Sequence, residues 1–89
     1  MQTFSQRADQ LAEVLKQMEM QAEESQLFAL GYIIPQLTLV AEYVEPEGDF
    51  DTCFTRWLHQ VFADDGMNSE DQQEILQLWQ QALNNANQQ

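Results

Sequence analysis

The sequence predicts an all-α protein, a compact, mostly antiparallel four-helix bundle with a proline-kinked central helix. Four segments carry apolar residues at the three- and four-residue spacing of an amphipathic helix. The stretches between them are short, about two to six residues, which favours antiparallel packing of neighbouring helices. The sequence shows no alternating strand pattern, no internal repeat and no glycine-rich segment.

The length of 89 residues predicts a single helical domain, 1–89, with helices at about 3–22, 25–44, 50–62 and 69–85. A chain of this size buries about 60–65% of its unfolded surface, which is enough for one modest core. With 44% hydrophobic and 20% charged residues, the composition is that of a globular protein and not of a disordered one.

The first helix has a narrow apolar stripe, so we expect it to give one face to the core and expose the rest. The stripe consists of Phe4, Ala8, Leu11, Leu15, Met18 and Ala22. Glu23 and Glu24 suit the start of a following helix, because negative charge is favourable at a helix N-terminus. Ser25 is the N-cap that the sequence predicts for that helix.

The second helix is apolar on two arcs, when about 100° is taken per residue. The aliphatic arc contains Leu30, Ile33, Ile34, Leu37, Val40, Ala41 and Val44, and the mostly aromatic arc contains Phe28, Tyr32, Leu39 and Tyr43. We expect the aliphatic arc to meet the first and fourth helices, and the aromatic arc to meet Phe54 and Trp57. The simplest interpretation is that three neighbouring helices bury this helix. The alternative is that part of the aromatic arc stays exposed for a partner.

Pro35 predicts a kink in the second helix, because proline lacks a backbone donor and its ring pushes against the carbonyl of Gly31. A helix that breaks and restarts at Pro35 is the alternative. The composition of residues 45–49 predicts a turn between two helical halves.

The third and fourth helices have their own start signals. Asp49 or Asp51 is the expected cap of the third helix, whose apolar residues are Phe50, Phe54, Trp57, Leu58, Val61 and Phe62. A loop is expected over 63–68, and Ser69-Glu70-Asp71-Gln72 then has the form of a capping box. The fourth apolar stripe is Ile75, Leu76, Trp79, Ala82, Leu83 and Ala86. Residues 84–89 should fray.

The net charge of −12 argues against binding to nucleic acid or to anionic membranes, whose phosphates attract basic proteins. No apolar run reaches the roughly 18–20 residues of a membrane span, and the start at Met1 has no signal-peptide pattern. The single Cys53 fits a reducing compartment, so a cytoplasmic location is expected. A strongly acidic small protein suggests a basic protein partner or mimicry of nucleic-acid charge.

The sequence gives no catalytic constellation and no metal or cofactor site. Cys53 and His59 are six residues apart, so on one helix they point to different faces. One Cys and one His cannot make a structural zinc site. The alternating acids of 45–51 resemble a calcium loop, but Phe50 and Arg56 stand where an EF-hand needs glycine and glutamate.

Two short patterns are similar to a known family. The segment Leu27-Phe28-Ala29-x-Gly31-Tyr32, in which x is any residue, followed by Leu37-Thr38-Leu39, resembles the YfcL family of small, acidic proteobacterial proteins. Ser69-x-Asp71-Gln72, with Trp79 in the last helix, is a second point of similarity. The resemblance implies an α-helical, bacterial, cytoplasmic domain. It implies no activity, cofactor or catalytic residue.

These observations favour a non-enzymatic protein-binding or adaptor module with an exposed apolar patch and an acidic rim. The candidate interface residues are Tyr32, Tyr43, Met20 and Met67, chosen because Tyr and Met are enriched at interfaces. The partner is expected to be a protein, basic or a second copy of this chain in a homodimer. An acidic nucleic-acid mimic is the alternative function, and a thiol-dependent enzyme using Cys53 is the weakest one.

Overall fold

The computed structural model describes residues 3–44 and 48–88, and these residues form four α-helices and no strand. The helices are α1 (Phe4–Gln21), α2 (Glu24–Tyr43), α3 (Phe50–Asp65) and α4 (Ser69–Asn87). The predicted all-α four-helix bundle is therefore confirmed. Most of the turn predicted over 45–49 lies outside the described residues.

Side chains three residues apart satisfy the first backbone groups of α1 and α2. The Thr3 hydroxyl accepts from the Gln6 N–H at 3.1 Å, and Gln6 Oε1 accepts from the Thr3 N–H at 3.0 Å. In α2 the N-cap is Glu23 and not the predicted Ser25, which lies inside the helix. The reason is Gln26, whose side chain accepts from the Glu23 N–H at 3.2 Å and fixes the start two residues earlier.

Helix α2 continues without interruption through Pro35, so the alternative of a broken and restarted helix is wrong. The helix is uninterrupted over 20 residues although Pro35 supplies no N–H to the carbonyl of Gly31. One turn further on, the Thr38 hydroxyl donates to the Ile34 carbonyl at 3.4 Å.

Helix α3 begins as predicted and ends three residues later than predicted. The Asp49 side chain caps it by accepting from the Thr52 N–H at 3.2 Å. At the other end Gly66 adopts a left-handed conformation with φ of 60°. The Met67 N–H then donates to the Phe62 carbonyl at 3.0 Å, which closes the helix end.

The N-cap of α4 is Asn68, one residue before the predicted Ser69. Its side-chain oxygen accepts from the Asp71 N–H at 2.8 Å, and Ser69 is already helical. Glu70 and Asp71 lie in the first turn, where their charge is favourable. The helix runs to Asn87, so the predicted fraying is not seen over residues 84–87.

All four helices contribute to one core: α1, α2 and α4 pack on one another, and α3 packs against α1, α2 and Trp79 of α4. Phe50 stacks on Phe54, and the ring centroids of Phe54 and Trp79 are 4.6 Å apart. Val14 of α1 and Leu78 of α4 belong to the core although neither was in the predicted stripes. The buried apolar residues are Ala8, Leu11, Val14, Leu15, Ala29, Leu30, Ile33, Leu37, Val40, Phe50, Cys53, Phe54, Leu58, Phe62, Ile75, Leu78, Trp79, Ala82 and Ala86.

Arg7 connects three of the helices at one end of the bundle. Its guanidinium donates to both carboxylate oxygens of Asp51, at 2.9 and 2.8 Å, and to the Asn87 side chain at 3.0 Å. Hydrogen bonding to Asp51 raises the pKa of Arg7 above its ordinary value. This bidentate geometry holds the ends of α1, α3 and α4 together.

Candidate protein-binding face

Helix α2 carries four of the five exposed large hydrophobic side chains of the described residues. Leu27 is 43% exposed, Phe28 56%, Leu39 42% and Tyr43 76%. At about 100° per residue they share one continuous arc with four further exposed residues. We call this arc the outer face of α2; its members are Leu27, Phe28, Gly31, Pro35, Thr38, Leu39, Glu42 and Tyr43.

The opposite side of α2 is the covered one. Leu30, Ile33 and Val40 are fully buried, and Leu37 is nearly so. The helix packs there against α1 and α4, as predicted for the aliphatic arc. Since Phe28, Leu39 and Tyr43 are exposed, the expectation that three neighbours bury the whole helix is wrong.

Helix α3 reaches only the edge of the outer face. The Tyr32 ring lies 6.2 Å from that of Phe62, and its hydroxyl donates to Asp65 Oδ2 at 3.0 Å. Burial and this hydrogen bond raise the pKa of Tyr32 to about 12. Trp57 Nε1 donates to Gln36 Oε1 at 2.9 Å and so holds α3 beside α2.

The aromatic arc was predicted to contact Phe54 and Trp57, and the structure pairs it with a different ring of α3. Phe54 is fully buried and packs on Phe50 and Trp79. The ring of α3 that pairs with a ring of the aromatic arc is that of Phe62, whose centroid lies 6.2 Å from that of Tyr32. Of the two rings that were expected to cover this arc, Phe54 lies inside the core, whereas Trp57 is half-buried and bonded to Gln36.

The four candidate interface residues divide into two groups. Tyr43 belongs to the outer face of α2, and Tyr32 lies at its edge, half-buried. Met20 is 86% exposed but lies on α1, and Met67 is half-buried in the loop before α4. Phe28 and Leu39 belong to the same arc as the tyrosines, and both are exposed whereas Tyr32 is half-buried, so they join Tyr43 as members of the site. Their place in the aromatic arc is the feature of the sequence that could have identified Phe28 and Leu39 as interface candidates.

Gly31 forms an open point near the middle of the outer face. A Cβ atom built on it would meet nothing within 4 Å. Neither a close contact nor a positive φ requires glycine here. The backbone of α2 is thus accessible at Gly31, between the larger side chains of Leu27 and Phe28 and those one turn further along.

The charges at the two ends of α2 are negative. Glu24 lies in the first turn and Glu42 in the last, and both are exposed. The helix contains no Lys or Arg. Asp65 adds a third carboxylate beside Tyr32. The outer face is therefore an apolar strip with acidic groups at both ends.

Cys53 and His59 lie in different surroundings. Cys53 is buried in α3, whereas His59 is exposed, with its ring against the edge of Phe62. Over residues 3–44 and 48–88, no group of three His, Cys, Asp or Glu side chains is placed to hold a metal ion. None of the helices in these two ranges is long and apolar enough to cross a membrane.

Two surface cavities lie away from α2. One, of about 450 Å³, is lined by Phe4, Arg7 and Asp51 among others, and its Arg7 and Asp51 are already bonded to each other. The other, of about 430 Å³, is a shallow groove beside Arg56, His59 and Leu83. Neither brings an unpaired buried polar side chain to its surface.

Comparison of the chain with protein-family models, with curated proteins and with solved structures gives no match. The resemblance to the YfcL family stays a prediction.

Proposed function

We propose that this protein is a non-enzymatic protein-binding module, and that its partner binds the outer face of α2. The observation that carries the proposal is the exposure of Phe28, Leu39 and Tyr43 on one side of a helix whose other side is the core. The largest contiguous apolar patch on a small domain, typically a few hundred Å², is often functional. Aromatic anchors are also the residues that dominate binding energy.

The environment of Cys53 supports the non-enzymatic part of the proposal. A nucleophilic thiol needs access to substrate and a nearby group that favours the thiolate. Cys53 is buried among apolar side chains, where a thiol behaves as a small hydrophobic residue. The lone cysteine and the net charge of −12 also suit a cytoplasmic protein that avoids nucleic acid.

Photo-cross-linking in cells tests the proposal. The full chain carries a photoreactive phenylalanine at Tyr43 in one variant and at the exposed Gln73 of α4 in the other. We expect a discrete adduct from position 43 alone. An excess of unlabelled protein should compete for that adduct, whereas an excess of a Phe28→Ser, Leu39→Ser double variant should not. Equal adducts from both positions, or equal competition by both competitors, would refute the proposal.

A further inference from the structure

We infer that the partner of the outer face is an amphipathic helix of another protein, with an apolar stripe flanked by Lys or Arg at both ends. The inference rests on the proposed function and adds the chemistry of what is bound. Three properties of the face support it: its shape, its charge and its area.

The shape is a straight line of apolar side chains. Phe28, Tyr32, Pro35, Leu39 and Tyr43 follow one another at spacings of four, three, four and four residues. Such spacing places them along one side of α2 over about 22 Å, at 1.5 Å per residue. Helices recognise one another through lines of this kind, in which each side contributes an apolar residue every three or four positions.

Gly31 allows close approach beside this line. The outer face has no Cβ at that position, and the surrounding space is empty. A side chain of a docked helix can therefore contact the backbone of α2, as small residues allow in closely packed helix pairs. A larger side chain at position 31 would occupy that space without changing the charge.

The charge selects against an acidic occupant. Glu24 and Glu42 are exposed at opposite ends of α2 and 18 residues apart, which is about 27 Å along a helix. With Asp65 beside Tyr32, the apolar line has carboxylates near both ends and no cation on its own helix. A second copy would bring the same carboxylates and a further net charge of −12. A helix with cations at both ends would neutralise them.

The area of the face suits one helix better than a stable dimer of this chain. At 56% and 76% exposure, Phe28 and Tyr43 together offer about 250 Å² of side-chain surface. Even with Leu27 and Leu39 added, the apolar area falls well short of the roughly 800 Å² per partner of a standard protein interface. A single helix lying in the line of side chains matches such a narrow strip.

Fluorescence anisotropy with synthetic helices tests the inference. The probe is a labelled 20-residue peptide with Leu at every third or fourth position and two Lys at each end. Its twin carries Glu in place of Lys. We expect the basic peptide to bind the wild-type protein at least tenfold more tightly than its acidic twin.

Two variants separate docking on the outer face from general attraction between opposite charges. Gly31→Gln should weaken binding of the basic peptide at least tenfold. Ala63→Gln adds the same side chain at an exposed position of α3 and should leave binding unchanged. Both variants keep the net charge, so attraction by charge alone would survive in each. Thermal melts establish whether both variants are folded. Gly31→Gln should not weaken α2, because glutamine is a better helix former than glycine, and Ala63→Gln should cost little at an exposed position.

Four results would overturn the inference. One is equal binding of the two peptides, and another is equal binding by the Gly31 and Ala63 variants. The third is sedimentation of the protein alone as a dimer that Tyr43→Glu dissociates, because a second copy would then occupy the face. The fourth is failure of the basic peptide to bind while the cross-link from position 43 persists, in which case the partner chemistry is wrong and the proposed function stands. Loss of the cross-link itself refutes the proposed function.

Discussion

Replacing Gly31 by alanine should stabilise this protein, because the fold makes no use of the missing side chain. Glycine in the interior of a helix costs about 0.5–1 kcal/mol relative to alanine, through the backbone entropy lost on folding. That cost is compensated only where glycine relieves a clash or adopts a positive φ. At Gly31 an added Cβ would have no neighbour within 4 Å, and φ is not positive.

The expected gain is therefore close to the full propensity difference, about 0.5–1 kcal/mol. For a domain of 60–100 residues it corresponds to a rise of about 2–8 °C in melting temperature. Thermal unfolding followed by circular dichroism measures it, and urea unfolding at constant temperature gives the free energy directly. If the slope of the unfolding free energy against urea concentration is the same in the parent and the variant, their denatured states are equally compact.

Gly66 provides the matched control. A Cβ there would also meet nothing within 4 Å, but φ is 60°, which disfavours any residue with a side chain. Gly66→Ala should therefore destabilise the protein by about 1 kcal/mol, the opposite sign for the same substitution in equally open space. If Gly31→Ala melts below the parent, the reasoning is refuted. Gly31 would then be required by the fold, most simply to accommodate Pro35 one turn later.

Three further predictions concern the core, a cap and a titrating group. Leu37→Asp should abolish cooperative melting, because an unpaired buried charge costs several kcal/mol and the free energy of unfolding of such a domain is roughly 5–10 kcal/mol. Ile34→Asp should cost less, since Ile34 is half-buried. Equal melting temperatures of the parent and Leu37→Asp would contradict the assignment of Leu37 to the core. Asn68→Ala should lower the free energy of unfolding in urea by about 1 kcal/mol and Ser69→Ala by much less, because only Asn68 caps α4; the reverse order would place the cap at Ser69. Since the pKa of Tyr32 is raised to about 12, its neutral form stabilises the fold fully below pH 10, and that stability is lost between pH 10 and 12. Tyr32→Phe should flatten the fall in melting temperature over this range, and an unchanged profile would contradict the assignment.

The helices themselves were predictable because the spacing of apolar residues is a local property of the chain. All four begin within one residue of their predicted starts. The N-cap residues of α2 and α4 were less predictable, since two polar residues near each helix start could serve as the cap. Asn68 and Ser69 are neighbours, and Glu23 stands two residues before Ser25. The choice depends on which side chain reaches the free N–H groups, as Asn68 does for Asp71.

The end of α3 shows a conflict between two local signals. Asp64 and Asp65 are unfavourable at a helix C-terminus, where negative charge meets the negative end of the dipole. They agree with the loop expected over 63–68, which would end the helix at Phe62. Gly66 in the left-handed conformation closes the helix instead, and the Tyr32 hydroxyl bonds to Asp65. The second contact comes from a residue 33 positions away, so no local pattern contains it.

The exposure of the outer face of α2 could not be predicted for a similar reason. Helical periodicity determines which residues share an arc, but a helix with two apolar arcs does not specify how many neighbours cover it. In this protein Phe50 stacks on Phe54 and Phe54 packs on Trp79 inside the core, so α3 reaches α2 through Trp57, Phe62 and Asp65 at the edge of the outer face. Covering the rest would require a fifth helix, which the described residues do not contain. A partner that supplies such a helix, with cations to meet the acidic ends of α2, would complete the packing that this bundle leaves open.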